Sequence, residues 1–223
     1  MVTVRVPATT ANLGPGFDTL GLALALYNTL TFEELAEGLY FEGVDPEYAT
    51  AENLAVVAYK AVLSKLGLPM PGLRISVQAE IPICRGLGSS AALIAAGAAG
   101  ANANHGSPLT RAELLAVCND IEGHPDNLAP AIFGGLVASF VENERPYIAR
   151  YSLHKRLRCT ALIPDFQLPP TWPEVSCRRR FPTETLFLTS PVRPCCCGPW
   201  RRVTRRPFPS LSGISSISPS AAP

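Results

Sequence analysis

Pro82-Ile83-Cys84-Arg85-Gly86-Leu87-Gly88-Ser89-Ser90-Ala91-Ala92 is the stretch on which the reading of this chain turns. Before it, residues 73–79 (Leu-Arg-Ile-Ser-Val-Gln-Ala) read as a strand, and after it the small residues from Ser89 to about Asn102 predict a helix. The two glycines have no Cβ, so the backbone can turn tightly and a ligand can come close to it. Ser89 and Ser90 stand where the helix begins, with free N–H groups and the positive end of the helix dipole aimed outward. Such a place is suited to an anion. The same residues also read as an ordinary strand–turn–helix with a serine N-cap. There is no Gly-Lys-Ser/Thr, so this is not a P-loop and a phosphate would be held another way.

With 223 residues the chain can hold one sizeable domain, or one domain and a fragment. The formal charge of +1 makes no electrostatic case for nucleic acid or for an anionic membrane, and neither is expected as a partner. Residues 1–7 alternate as a strand and lack the apolar core of a signal peptide. No apolar run reaches about 18 residues, so no membrane span is expected. Cys84, Cys118 and Cys159 are scattered, and Cys177 and Cys195–Cys197 lie together in an unusual tail without zinc-like spacing. The cysteines read as those of an intracellular, reduced protein, and a cytoplasmic location follows as an expectation.

Residues 2–7 form an expected first strand ended by Pro7, followed by a turn-rich loop over 8–18. Residues 20–26 are a nearly continuous apolar run, either a buried strand or a short helix, and 28–35 alternate as a half-buried strand. Residues 36–50 are polar and turn-rich. Leu54, Val57, Ala58, Ala61 and Val62 recur at helical spacing between Asn53 and the stop at Gly67. A second helix is expected over 110–120, then strands over 136–141, 147–151 and 158–163. Strands and helices mix without regular alternation, which predicts an α+β fold.

From Gln167 the chemistry changes. The last 57 residues hold 11 of the 22 prolines, four of the seven cysteines, eight arginines and no lysine. Proline at this density opposes both helix and central strand, and the segment has no hydrophobic period, so disorder is expected. It reads either as a basic, proline-rich arm or as a segment translated out of frame. With GC-rich codons, a one-base shift turns Cys195-Cys196-Cys197-Gly198-Pro199-Trp200 into Leu-Leu-Leu-Trp-Ala-Leu, an apolar helix.

Three segments together resemble the GHMP small-molecule kinases, and among them the homoserine kinases. Residues 82–92 are similar to that family's phosphate-binding motif. Thr10-Ala11-Asn12-Leu13-Gly14-Pro15-Gly16-Phe17-Asp18 resembles the N-terminal segment of the homoserine kinases. Glu122-Gly123-His124-Pro125-Asp126-Asn127, leading to Gly134-Gly135, looks like the third block of their N-terminal domain. The resemblance covers residues 1–166 and implies a ribosomal protein S5 domain 2-like GHMP kinase N-terminal domain that binds ATP and substrate. It also implies a ferredoxin-like C-terminal domain, which is missing from the reading frame and replaced by the tail at 167–223.

What the family does with these residues is carried over position by position. The resemblance implies ATP at Pro82, Arg85, Gly86, Leu87, Gly88, Ser89, Ser90, Ala91 and Ala92, with the phosphates on backbone N–H groups. It implies Mg²⁺ held by Ser89 or Ser90 together with Glu122, in keeping with the oxygen ligands that Mg²⁺ takes. Ser90 also reads as a helix cap and Glu122 as a solvated helix-end carboxylate. Asn12 and Asp18 resemble contacts to the ammonium of an amino-acid substrate, L-homoserine, though both also suit a local turn. His124 and Asn127 would approach the substrate hydroxyl. Asp126 stands where other members place a general base, which phosphoryl transfer can do without. Asn53 reads as an N-cap in preference to an adenine contact. The implied activity is phosphorylation of the homoserine hydroxyl in threonine biosynthesis, with a homodimer as the expected assembly and little or no activity from the shortened chain.

Overall fold

The computed structural model describes residues 1–16, 18–83, 85–143, 145–154, 156 and 159. The element order is β1 (Val2–Thr10), β2 (Leu20–Leu35), β3 (Leu39–Glu42), α1 (Leu54–Lys65), β4 (Gly72–Ala79), α2 (Ser89–Asn104), α3 (Arg111–Glu122), α4 (Leu128–Phe133), β5 (Leu136–Glu142) and β6 (Arg145–Tyr151). Short 3-10 turns lie at Gly14–Gly16 and Pro46–Tyr48. The fold is α+β, as expected. Of the strand expected over 158–163 only Cys159 is described, and the tail from 167 lies outside the described residues.

One strand carries the sheet. The segments 20–26 and 28–35 are not two elements but a single 16-residue strand, β2. Along one edge it pairs antiparallel with β1, from Val2↔Phe32 to Thr10↔Leu22. Its other edge takes β4 beside Asn28–Leu35 and β5 beside Leu20–Leu22. The order is β3-β4-β2-β5-β6, and only β3 and β4 run parallel. β3 was not expected, because four residues inside a polar segment show too little alternation to stand out.

β1 does not stop at Pro7 but continues to Thr10. Proline cannot donate to the ladder, and strands tolerate it at irregularities. Here the register shifts between Pro7↔Tyr27 and Thr9↔Ala23, so that Ala8 stands opposite residues 24–26. Such a bulge bends a strand and re-aims its side chains. Its signature is that the consecutive residues Ala8 and Thr9 are both fully buried.

The helices pack on one face of the sheet over Leu30, Phe32, Leu73 and Ile75, all fully buried. Burying a side chain of this kind stabilises the fold by about 1.5–3 kcal/mol. α2 lies at the centre, buried from Ala91 through Asn102 on nearly every side. Its small residues permit this. A Cβ on Gly97 would overlap the Ala55 carbonyl of α1, and one on Gly100 would come within 2.5 Å of the Phe32 ring. α4, which was not expected, is a six-residue helix, too short to show a periodic pattern.

Candidate active site

The phosphate-loop candidate lies where β4 hands over to α2. The helix is not capped by serine. Gly88 is the N-cap, at φ +65°, and no side chain caps the first turn. Ser89 and Ser90 are therefore the first helical residues, and the Ser90 hydroxyl is turned to another task. It donates to Glu122 Oε1 at 2.6 Å, joining the start of α2 to the end of α3. Gly123, at φ +87°, stops α3 and leads the chain into His124-Pro125-Asp126-Asn127.

These segments face one cleft of about 1110 Å³. Asn12 and Asp18 line it from the loop after β1, Arg85, Gly86 and Gly88–Ser90 from the glycine loop, and Glu122, His124, Asp126 and Asn127 from the turn after α3. Leu87, Ala91 and Ala92 belong to the same motif, but they are buried in the core and stand outside the lining of the cleft. Pro82 stands outside the lining, between Ile81 and Ile83, which are part of it. Asp18 adopts φ +60°, a left-handed conformation that aspartate tolerates better than most residues.

The turn at 124–127 is tied together by Asp126, which is buried. Its Oδ1 accepts from the Asn127 backbone N–H at 2.8 Å and lies 2.9 Å from His124 Nδ1. The imidazole is more than half exposed. Its hydrogen bond to Asp126 raises the His124 pKa above the ordinary value; burial opposes this, and the charges of Asp126, Glu122 and Asp18 add to it. The shift is toward the charged form of His124.

One wall of the cleft was not foreseen. It comes from residues 43–54, where Asn53 acts as a clip. Its Oδ1 accepts from Ala55 N at 3.0 Å, the expected cap, while its Nδ2 donates to the Tyr48 carbonyl at 2.9 Å. Asp45, Glu47 and Glu52 face the cleft from this wall. The polar composition of 36–50 suggested only loop, and nothing local to it indicates which cavity it borders.

Taken whole, the lining sets six carboxylates (Asp18, Asp45, Glu47, Glu52, Glu122, Asp126) against Arg85 and His124. An anionic ligand seated here needs an accompanying cation. The donor set near the loop is oxygen only, Ser90 Oγ beside Glu122 Oε1. Among the described residues no group of three or more His, Cys, Asp or Glu could form a cage around a metal. Both features fit Mg²⁺, which keeps several waters and takes one or two protein ligands with the substrate phosphates.

Residues 53–135 match the model of the GHMP kinases N terminal domain. A homoserine kinase of Clostridium botulinum (strain Loch Maree / Type A3) is 46% identical over 168 residues, which is 75% of this chain and 57% of that protein. The chain therefore spans little more than half the length of this curated relative. A structure from Listeria monocytogenes assigned as a homoserine kinase matches with a TM-score of 0.61 at 34% identity, covering 79% of this chain and 66% of the other. The mevalonate kinase of Methanococcus jannaschii shares the fold at 17% identity, with a TM-score of 0.54 over 68% of this chain and 56% of its own.

Proposed function

We propose that the chain belongs to the GHMP kinases through its N-terminal domain and forms the nucleotide- and acceptor-binding part of a homoserine kinase. The reaction transfers the γ-phosphoryl of ATP to the side-chain hydroxyl of L-homoserine, giving O-phospho-L-homoserine for threonine biosynthesis. The observation that carries this reading is the meeting of the glycine loop and the Glu122–Asn127 turn across one cleft, joined by the Ser90–Glu122 hydrogen bond of 2.6 Å.

In this reading the backbone N–H groups at the start of α2 hold the phosphates, where the helix dipole favours negative charge. Ser90 and Glu122 hold Mg²⁺, which when bound offsets the charge of the phosphates in an otherwise acidic cleft. Asn12 and Asp18 take the ammonium of the amino acid. His124 and Asn127 face the acceptor hydroxyl, and Asp126 keeps both in place through its Oδ1. Phosphoryl transfer depends mainly on alignment and charge stabilisation, so a set of positioned donors is adequate chemistry even without a strong base.

The test is ADP release by the full chain with homoserine, mevalonate or galactose as acceptor, beside direct ATP binding. Turnover specific to homoserine supports the reading, and turnover with another acceptor assigns the chain to a different GHMP activity. A second reading, nucleotide binding without turnover, is distinguished by the same assay. It predicts ATP binding with no ADP released from any acceptor.

A further inference from the structure

Thr9 was read as part of a turn-rich loop, yet it ties the end of β1 to two of the segments that line the cleft, the glycine loop and the turn after α3. It is fully buried, just past the register shift between β1 and β2. Its backbone N–H donates to the Leu87 carbonyl of the glycine loop at 3.1 Å. Its hydroxyl donates to Asn127 Oδ1 at 2.9 Å. Between the two lies Gly88, where an added Cβ would overlap Thr9 Oγ1 and stand 3.2 Å from Asn127 Oδ1.

This arrangement decides which end of the Asn127 carboxamide meets a ligand. The oxygen and nitrogen of an asparagine side chain differ little in size, so its orientation follows from its partners. Thr9 occupies the carbonyl end. The amino end lies 3.4 Å from Asp126 Oδ1. Turning the amide over would bring its oxygen against that carboxylate oxygen and leave the buried threonine hydroxyl to find a new partner, which is costly. The NH₂ group is therefore the end left for the cleft, where Asn127 is part of the lining. A donor aimed there suits the oxygen on which negative charge develops during transfer.

We propose that Thr9 is a positioning residue for phosphoryl transfer, its buried hydroxyl locking the Asn127 carboxamide with the NH₂ group toward the acceptor. The proposal rests on the kinase reading for its chemistry, but the lock itself belongs to the unliganded chain.

The lock is read by ¹H–¹⁵N NMR of the unliganded full chain. In the wild-type protein the Thr9 hydroxyl proton is expected to be protected from solvent exchange, with the Asn127 NH₂ pair as one well-defined set. Thr9→Ser keeps that set, while Thr9→Val, of the same shape without the hydroxyl, shifts or broadens it. With ATP and homoserine, Thr9→Val lowers kcat about tenfold and leaves KM for ATP within about twofold, and Thr9→Ser restores turnover. A wild-type hydroxyl in free exchange with water overturns the proposal, and that result stands even where Thr9→Val fails to fold. So does a folded Thr9→Val with an unmoved Asn127 pair or an unchanged kcat. A wild-type chain that binds no nucleotide yet keeps the protected hydroxyl fails the kinase reading and upholds the lock.

Discussion

At Gly88 two demands meet: a left-handed backbone at φ +65° and no room for a Cβ beside Thr9 Oγ1. Gly88→Ala is expected to cost about 1–3 kcal/mol from the backbone alone, with a further loss from the crowded hydroxyl. Urea denaturation measures the stability, and a parallel ATP titration should show weaker binding. Ser90 and Glu122 make a different prediction, because their part-buried bond lies at the cleft. Glu122→Gln should weaken Mg·ATP by about tenfold while leaving ATP affinity in excess EDTA unchanged, as calorimetry can show. Equal effects with and without metal would remove Glu122 from the metal site. The glycines of this loop were legible in the sequence because few residues accept such backbone. That Ser90 bonds Glu122 instead of capping its helix was not legible, since the two lie 32 positions apart.

The helices differ in how openly the sequence announces them. α3 begins with a capping box: Thr110 Oγ1 accepts from Glu113 N at 3.3 Å, and Glu113 Oε2 accepts from Thr110 N at 2.8 Å. The backbone bond from Thr110, then its hydroxyl, holds the Glu113 pKa below the ordinary carboxylate value. The folded pKa is depressed, so the stabilisation is present above the unfolded value and is lost as pH falls through the folded one. Thr110→Ala should cost about 0.5–2 kcal/mol at neutral pH. Its stability difference from wild type should shrink in acid, as denaturation at several pH values would reveal. α2 shows the opposite case, in which helix propensity and packing disagree. Alanine is the better helix former, yet Gly97→Ala should destabilise the chain, because the new Cβ overlaps the Ala55 carbonyl of α1. Thermal melts that instead showed a gain would mean that α1 can withdraw from α2 at little cost.

For the whole molecule, the acidic lining implies that nucleotide and metal bind together. ATP with Mg²⁺ should raise the melting temperature in proportion to RT ln(1 + [L]/Kd), and chelating the metal should remove most of that rise. Stabilisation of equal size with ATP alone would count against the Ser90–Glu122 site. The cleft is assembled from the loop after β1, the wall at 43–54, the glycine loop and the turn after α3. Of these, the wall left the faintest trace in the sequence reading, Asn53 alone. Its residues are ordinary polar and turn-forming types, and it gains meaning by lining the same cleft as the phosphate loop.

By itself the sequence determined the α+β class, the glycine loop and the helix of α3. Each of these is a matter of local chemistry: a missing Cβ or a period of apolar residues. The tertiary structure decided the rest. It joined 20–26 and 28–35 into one central strand, carried β1 beyond Pro7 through a bulge, and set Thr9 between Leu87, Gly88 and Asn127. These outcomes depend on which distant groups can satisfy a hydroxyl, an amide or a carboxylate once the core has closed. Local sequence names such groups, but only the packed chain chooses their partners.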